Sequence, residues 1–311
     1  MNLPIITFKS VGREIGLDVR VVDGRLQVKE LLPRPLWAQR LSSKSSFCRA
    51  VVQSGLLTRR QMVHAALRYR LGRSKDDAVI YWQIDQLGQV HDGKLMWYGP
   101  DCHRLKHRNA TWVMSRLKRH YGIPQDAFHS THVFFGTHLL AERPTKGCDV
   151  PLRKHSCVPT VASGKAERRR GGTTSQDVFE RNNTALRPRG LTSVLGTVAL
   201  VEAEKSAVIL SELYPQYIWL ATGGLEEVQV NKFMPLSDYK VILFPDTDPD
   251  GRAFTRWHEA AQAVMKSFFW PRNNPIRVSP ILERRASEDQ KRRKIDLVDY
   301  IMEYRLQTHA N

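Results

Sequence analysis

The carboxyl-terminal part of the chain alternates short apolar runs with stretches of helical spacing. Residues 197–201 (Thr-Val-Ala-Leu-Val) read as a strand. From 204 to 213 the apolar positions Ala207, Val208, Leu210 and Leu213 keep near-helical spacing. A second strand is predicted over 217–221, closed by Gly223-Gly224, then a short helical stretch around 228–234 and a third strand over 240–244. A longer helix is predicted over 251–268, with Phe254, Trp257, Ala261, Val264, Met265 and Phe268 on one face. Residues 276–278 form a candidate fourth strand. Uniformly apolar strands alternating with helices predict a mainly parallel sheet covered on both faces, an α/β arrangement.

The first 140 residues are patterned differently. Two helices are expected over 45–54 and 58–71, separated by Gly55, with Thr58 capping the second. A strand is predicted over 78–85, turned by Gln86-Leu87-Gly88 and returning antiparallel over 89–98. A helix over 112–121 and a strand-like run over 133–136 complete an α+β module. Between this module (1–140) and the α/β part (197–311) lies a zone, 141–196, poor in large apolar residues. From Glu142 to Gly190 it carries 11 Lys/Arg against 5 Asp/Glu, and it includes the run Arg168-Arg169-Arg170. It cannot bury enough surface to offset its ordering entropy and is expected to be a disordered basic insertion or linker. The same charge would also suit an arm that tracks phosphates.

The whole chain of 311 residues carries a formal net charge of +17, with 41% hydrophobic and 25% charged residues. The composition suits a soluble globular protein, and the charge favours a polyanionic partner such as nucleic acid. No apolar run approaches the roughly 18 to 20 residues of a membrane helix, and Met1–Lys9 lacks a secretory pattern. Cys48, Cys102, Cys148 and Cys157 are too irregularly spaced for a disulfide framework, so a reducing cytoplasmic setting is expected.

In a doubly wound sheet, ligands sit beyond the carboxyl ends of the strands. The first predicted strand there ends at Glu202, and the third runs into Pro245-Asp246-Thr247-Asp248-Pro249-Asp250-Gly251. If these ends lie close, their carboxylates repel unless a divalent cation compensates them, and a small set of oxygen ligands suits Mg²⁺. Lys205 and Ser206 open the following helix, where a phosphate could be held. Asp after a strand also serves as a turn former or helix cap, so the pattern alone leaves both roles open.

The segments 198–207 (Val-Ala-Leu-Val-Glu-Ala-Glu-Lys-Ser-Ala) and 243–251 (Leu-Phe-Pro-Asp-Thr-Asp-Pro-Asp-Gly) resemble the Toprim domain, shared by bacterial primases, topoisomerases and related nucleases. The stretch around Asp296 and Asp299 is similar to an Asp-containing tail that often follows the domain in phage and plasmid primases. Residues 79–85, 93–98 and 134–140 look like an uncharacterised Toprim-type group from bacterial mobile elements, and this chain departs from that group's pattern by the inserted basic zone. The resemblance implies a Rossmann-like Toprim fold for 197–311, with Glu202 as acid/base carboxylate. It implies Asp246 and Asp248 as ligands of Mg²⁺, with Glu202 helping to hold a second ion, Asp250 a further candidate ligand and Lys205 neutralising a phosphate oxygen. Mg²⁺-dependent phosphoryl transfer, primase-like in the replication of a mobile element, is the activity implied; a Toprim nuclease is the nearest alternative. The implied partners are single-stranded DNA, nucleotides and a replicative helicase.

Nucleic acid would be gripped by the first module, where Trp82, Trp97, Tyr98 and Trp112 interleave with Lys94, Arg104, Lys106, His107, Arg108, Arg116 and Lys118, and by Arg168, Arg169 and Arg170; each aromatic taken singly, Trp82 in its strand above all, reads rather as a core residue. Two competing expectations remain. One is a non-catalytic DNA-binding protein with a degenerate Toprim domain and a helix-turn-helix over 47–71, carrying Arg59, Arg60, Arg68 and Arg70. The other is a zinc site at Cys148, His155 and Cys157, with Cys102-His103 upstream.

Overall fold

A computed structural model describes residues 19–22, 25–28, 31–32, 34–122, 131–141 and 195–309. The basic zone with Arg168, Arg169 and Arg170, and the Cys148/His155/Cys157 cluster, lie outside the described residues.

A short hairpin, β1 (Val19–Val22) and β2 (Arg25–Val28), precedes α1 (Arg34–Ala38). The expected helical pair follows as α2 (Ser46–Gln53) and α3 (Arg59–Arg68). Ser45 caps α2, and Thr58 with Gln61 forms a reciprocal capping box on α3, so the local sequence sets both starts. Next come β3 (Gly72–Arg73), β4 (Val79–Ile84), β5 (Val90–Met96), β6 (Thr111–Trp112) and α4 (Val113–His120). The four strands form one antiparallel sheet in sequence order.

Beyond the undescribed segment, β7 (Thr197–Val201), α5 (Glu204–Leu213), β8 (Ile218–Ala221), β9 (Lys240–Phe244), α6 (Arg252–Lys266) and β10 (Arg277–Val278) alternate as predicted. Short helices α7 (Ile281–Arg285) and α8 (Glu288–Arg293) lead to α9 (Leu297–His309). The four strands are all parallel, in the order β10-β9-β7-β8. The fold is therefore mixed α/β, with one parallel and one antiparallel four-stranded sheet.

Both sheets are covered on both faces, which explains the largely apolar runs of β4 and of β7 to β9. In the parallel sheet Val198, Leu200, Leu220, Val241 and Leu243 pack towards α6, whose Trp257, Ala261 and Val264 are buried. The alternate residues Ala199, Val201, Trp219 and Ala221 enter another core, which also holds Phe47 and Val51 of α2, Met62 and Ala65 of α3, and Tyr81 of β4. One core is thus shared by the amino-terminal elements and the parallel sheet. Tyr69 seals it: its hydroxyl donates to the Trp219 carbonyl at 2.7 Å. The other face of β4 carries Ile80, Trp82 and Ile84 into a third core with Met114 of α4.

Three expectations are corrected. Residues 133–136 form no strand; Phe135 makes only an antiparallel bridge to Ala221 at the edge of β8, because the chain turns at once into a 3-10 helix, Thr137–Ala141. The helical stretch around 228–234 is two 3-10 segments, Leu225–Glu227 and Val230–Leu236, the second containing Pro235. Phe268 lies beyond the end of α6 and is 98% exposed, so it is not part of the buried face.

Trp82 occupies a slot made by glycines on the two neighbouring strands. A Cβ on Gly93 would meet the Trp82 ring at 2.6 Å, and one on Gly72 would meet its indole nitrogen at 2.6 Å. Gly93→Ala is expected to destabilise the protein by about 1–3 kcal/mol through overpacking, read as a lowered urea midpoint with unchanged slope. A midpoint equal to the parent's would refute this packing.

Candidate functional site

The parallel register pairs Val201 with Phe244, so Glu202 and Asp246 leave adjacent strands at the same carboxyl edge. Both are partly exposed. Burial pushes the Asp246 carboxyl well above the ordinary carboxylate range; Asp296 and Glu202 push it further, and Lys205 opposes them. Burial also raises Glu202, with Lys94 opposing and Glu204 and Asp296 adding to the rise. Asp246 accepts no hydrogen bond from a described residue.

Asp296 and Asp299 join the cluster from the start of α9. The Asp296 carboxylate accepts from the Asp299 N–H at 2.9 Å, and Asp299 accepts from the Asp296 N–H at 3.3 Å, a reciprocal cap at Asp-x-x-Asp spacing. Asp296 also accepts from the Ser206 hydroxyl at 2.8 Å and lies 3.0 Å from the Lys205 ammonium, which is 3.4 Å from Asp299. Burial alone would raise Asp296, but Lys205 and these donors hold it below its usual range. Burial would likewise lower Lys205, yet Asp296 and Asp299 hold it above the ordinary lysine range. Lys205 is therefore paired with α9.

Lys94 reaches the same edge from β5. Its ammonium donates to the Gly223 carbonyl at 2.7 Å and pairs with the buried Glu204 at 3.1 Å. Gly223 has φ +90°, and a Cβ there would stand 3.1 Å from the Glu204 carboxylate, so the Gly223-Gly224 turn serves this approach.

Asp248 stands differently. Its carboxylate accepts the N–H groups of Asp250 (3.0 Å), Arg252 (3.1 Å) and Ala253 (2.7 Å), capping α6. Burial pushes it up, but these three donors, helped by Lys294, leave it below the ordinary range. Asp250 is exposed beside it. Asp248→Ala is expected to cost about 1–2 kcal/mol, the scale of a strong helix cap, and Asp248→Ser to recover most of that in chemical denaturation. Equal stability of the alanine variant and the parent would remove the capping role.

Arg104, Lys106 and Arg108 are exposed. The expected aromatic platform is not formed by their neighbours: Trp82, Trp97 and Tyr98 are buried. Arg108 and Arg116 both stand over the Trp97 ring at 5.3 Å, and Trp112 stacks on His132 at 4.1 Å. In the helical pair, α3 buries Met62, Ala65 and Ala66 and ties to α5 through His64 and Glu212 at 2.6 Å. Arg59 and Arg60 remain exposed on it. Cys102 is buried, and its thiol is pushed up to about 12 by burial.

The donor set suits a hard cation. Glu202 and Asp246 offer oxygen only, and both carry raised pKa values that a divalent charge would relieve. Among the described residues no three His, Cys, Asp or Glu side chains are set as a ready cage. A cation here would keep part of its water shell, as Mg²⁺ does.

A parallel sheet with an acidic cluster on its carboxyl edge thus shares a core with an antiparallel sheet. The chain belongs to the family described as domain of unknown function DUF6371, whose model matches residues 45–151 and 191–247. The match takes in β3 to β6 and β7 to β9 with Glu202, Lys205 and Asp246, and leaves out 1–44, 152–190 and 248–311, and with the last of these β10, Asp248, Asp296 and Asp299. A search of curated proteins finds no match. Among solved structures, the primase fragment of the bacteriophage T7 primase-helicase protein is 14% identical with TM-score 0.31, covering 87% of this chain and 60% of that one. A DNA primase domain from Pseudomonas aeruginosa is 12% identical with TM-score 0.32, covering 86% of this chain and 59% of that one. The chain spans about three-fifths of the length of either. No helix among the described residues is long and apolar enough to cross a membrane.

Proposed function

We propose that this protein is a Mg²⁺-dependent phosphoryl-transfer enzyme acting on nucleic acid, primase-like in its use of nucleotides and a single-stranded DNA template. The reading is carried by one observation: Glu202 and Asp246 emerge together at the carboxyl edge of a parallel sheet, where Glu202 adds to the burial that raises the Asp246 carboxyl. The net charge of +17 supports a polyanionic substrate, and the sequence resemblance to Toprim proteins points the same way.

Glu202 and Asp246 would hold the cation, with Asp248 and Asp250 beside them on the next turn. When bound, Mg²⁺ supplies charge neutralisation for a transferring phosphoryl group. Glu202, held above the ordinary carboxylate range, is suited to accept or return a proton at the attacking oxygen. Lys205 and Lys94 keep the edge from becoming uniformly negative, and their own carboxylate partners fix where their charges sit. Arg104, Lys106 and Arg108 supply an exposed basic surface for the phosphate backbone. A replicative helicase is a further partner under this reading.

A second reading, a nucleic-acid-binding protein without turnover, is favoured by one feature: the Asp248 carboxylate is already engaged as a helix cap. The discriminating experiment is incorporation of labelled nucleotides on single-stranded DNA with Mg²⁺, beside a nuclease assay on labelled DNA. Product that disappears with EDTA and with D246N supports the enzyme. DNA binding without product in either assay, in folded protein, overturns it.

A further inference from the structure

We infer that a second site, between α2 and α3, binds a nucleoside triphosphate. A concavity of about 510 Å³ opens there, within the range of roughly 300–1,000 Å³ usual for small-molecule sites. It shares no residue with the acidic cluster.

Its walls combine two chemistries. Val52, Met62 and Val63 supply an apolar surface. Lys44, Arg49, Arg59 and Arg73 supply positive charge, and no Asp or Glu lines the cavity. Asp77, just behind, pairs with both Arg49 and Arg73 (Nε–Oδ1 2.6 Å for Arg73). Lys44 and Arg59 have no carboxylate within ion-pair reach among the described residues, and both are exposed. Four cations against one carboxylate leave a surplus of three.

Asp77 offsets part of the repulsion among these four charges, and a bound anion would relieve the rest. The surplus of three approaches the charge of a triphosphate. Arg guanidinium groups are suited both to bidentate phosphate contact and to stacking on a planar base, and the apolar wall gives that base a dry surface. Inorganic phosphate would use only the cations. A DNA backbone, running past the helices, would leave the Val52–Met62 wall unused.

The test is equilibrium binding of a ribose-labelled fluorescent ATP to the full chain carrying D246N, in EDTA, so that the acidic edge is silenced. One saturable site per chain is expected, displaced by unlabelled ATP. K44A/R59A is expected to weaken binding by about tenfold or more, the scale of losing charge-assisted hydrogen bonds. V63W, which fills the cavity from a half-exposed position, should weaken it comparably; thermal melts confirm that both variants fold. Absence of saturable binding, equal affinity in both variants, or equal displacement by inorganic phosphate would each overturn the proposal. So would displacement by a single-stranded oligonucleotide at lower concentration than ATP. None of these outcomes bears on the acidic edge, which D246N has already removed.

Discussion

Asp246→Asn is expected to reduce Mg²⁺-dependent phosphoryl transfer by about 10²- to 10³-fold, the scale of removing one electrostatic contributor to a transition state, while leaving the protein at least as stable as its parent. Activity is lost because asparagine offers a cation no negative charge. Stability is kept because the ionised Asp246 is a net cost to the fold: it accepts no hydrogen bond from a described residue, and burial, Asp296 and Glu202 all disfavour its charge. The sign follows from linkage. A carboxyl whose folded pKa lies above its unfolded value of about 3.9 subtracts stability at neutral pH, and that deficit fades as pH falls through the folded value. In Mg²⁺-free buffer the parent should therefore gain stability relative to D246N on acidification from pH 7.5 towards pH 5. Full activity in D246N would end the catalytic reading, and a large loss of stability at pH 7.5 would show that Asp246 has a stabilising partner.

Lys205→Met is expected to be the most destabilising single change in the cluster, by about 3–5 kcal/mol, the range for breaking a buried ion pair by removing one partner. It leaves Asp296 and Asp299 charged and crowded without the ammonium that stands 3.0 and 3.4 Å from them. Asp296→Leu should cost a similar amount, because it also strips the Ser206 hydroxyl and the Asp299 N–H of their acceptor. The double variant should lose clearly less than the two single losses together, since the pair is one interaction. Asp296, with its folded pKa lowered, contributes stability above about pH 3.9 that is lost as pH falls through the folded value. Lys205, with its pKa raised, contributes fully below about pH 10.4 and loses that contribution as pH rises through its folded value. Urea unfolding at pH 7.5 provides the measurement; additive losses would mean that Lys205 and Asp296 act separately.

Much of the local structure was legible before any coordinates. Thr58 with Gln61 announced the start of α3, and the observed capping box begins there. Gln86-Leu87-Gly88 announced the hairpin between β4 and β5, which pair antiparallel. The runs at 197–201 and 240–244 became neighbouring parallel strands, so Glu202 and Asp246 meet at one edge. Each of these features is decided within a few residues, by capping, turn chemistry or apolar continuity.

The aromatic residues show where such reading stops. Trp82, Trp97 and Tyr98 sit among basic residues in sequence, yet they are buried, because residues adjacent in a strand point to opposite faces and both faces of this sheet are covered. Lys94 looked like a phosphate contact and is engaged by Glu204 and Gly223, 110 and 129 residues further along. For Asp246 and Asp248 alike the sequence left ligand and cap open, and the fold engages only Asp248 as the cap of α6. The sequence by itself determined the helical pair, the central hairpin, the strand–helix alternation from 197 to 278, the excess of positive charge and which carboxylates end which strands. Only the tertiary structure decided that α2 and α3 share a core with the parallel sheet, that Lys205 is held by Asp296 and Asp299, and that Asp246 is left without a hydrogen bond from the described residues. Those outcomes depend on which distant groups packing brings within a few ångströms, and on how much water it removes from between them.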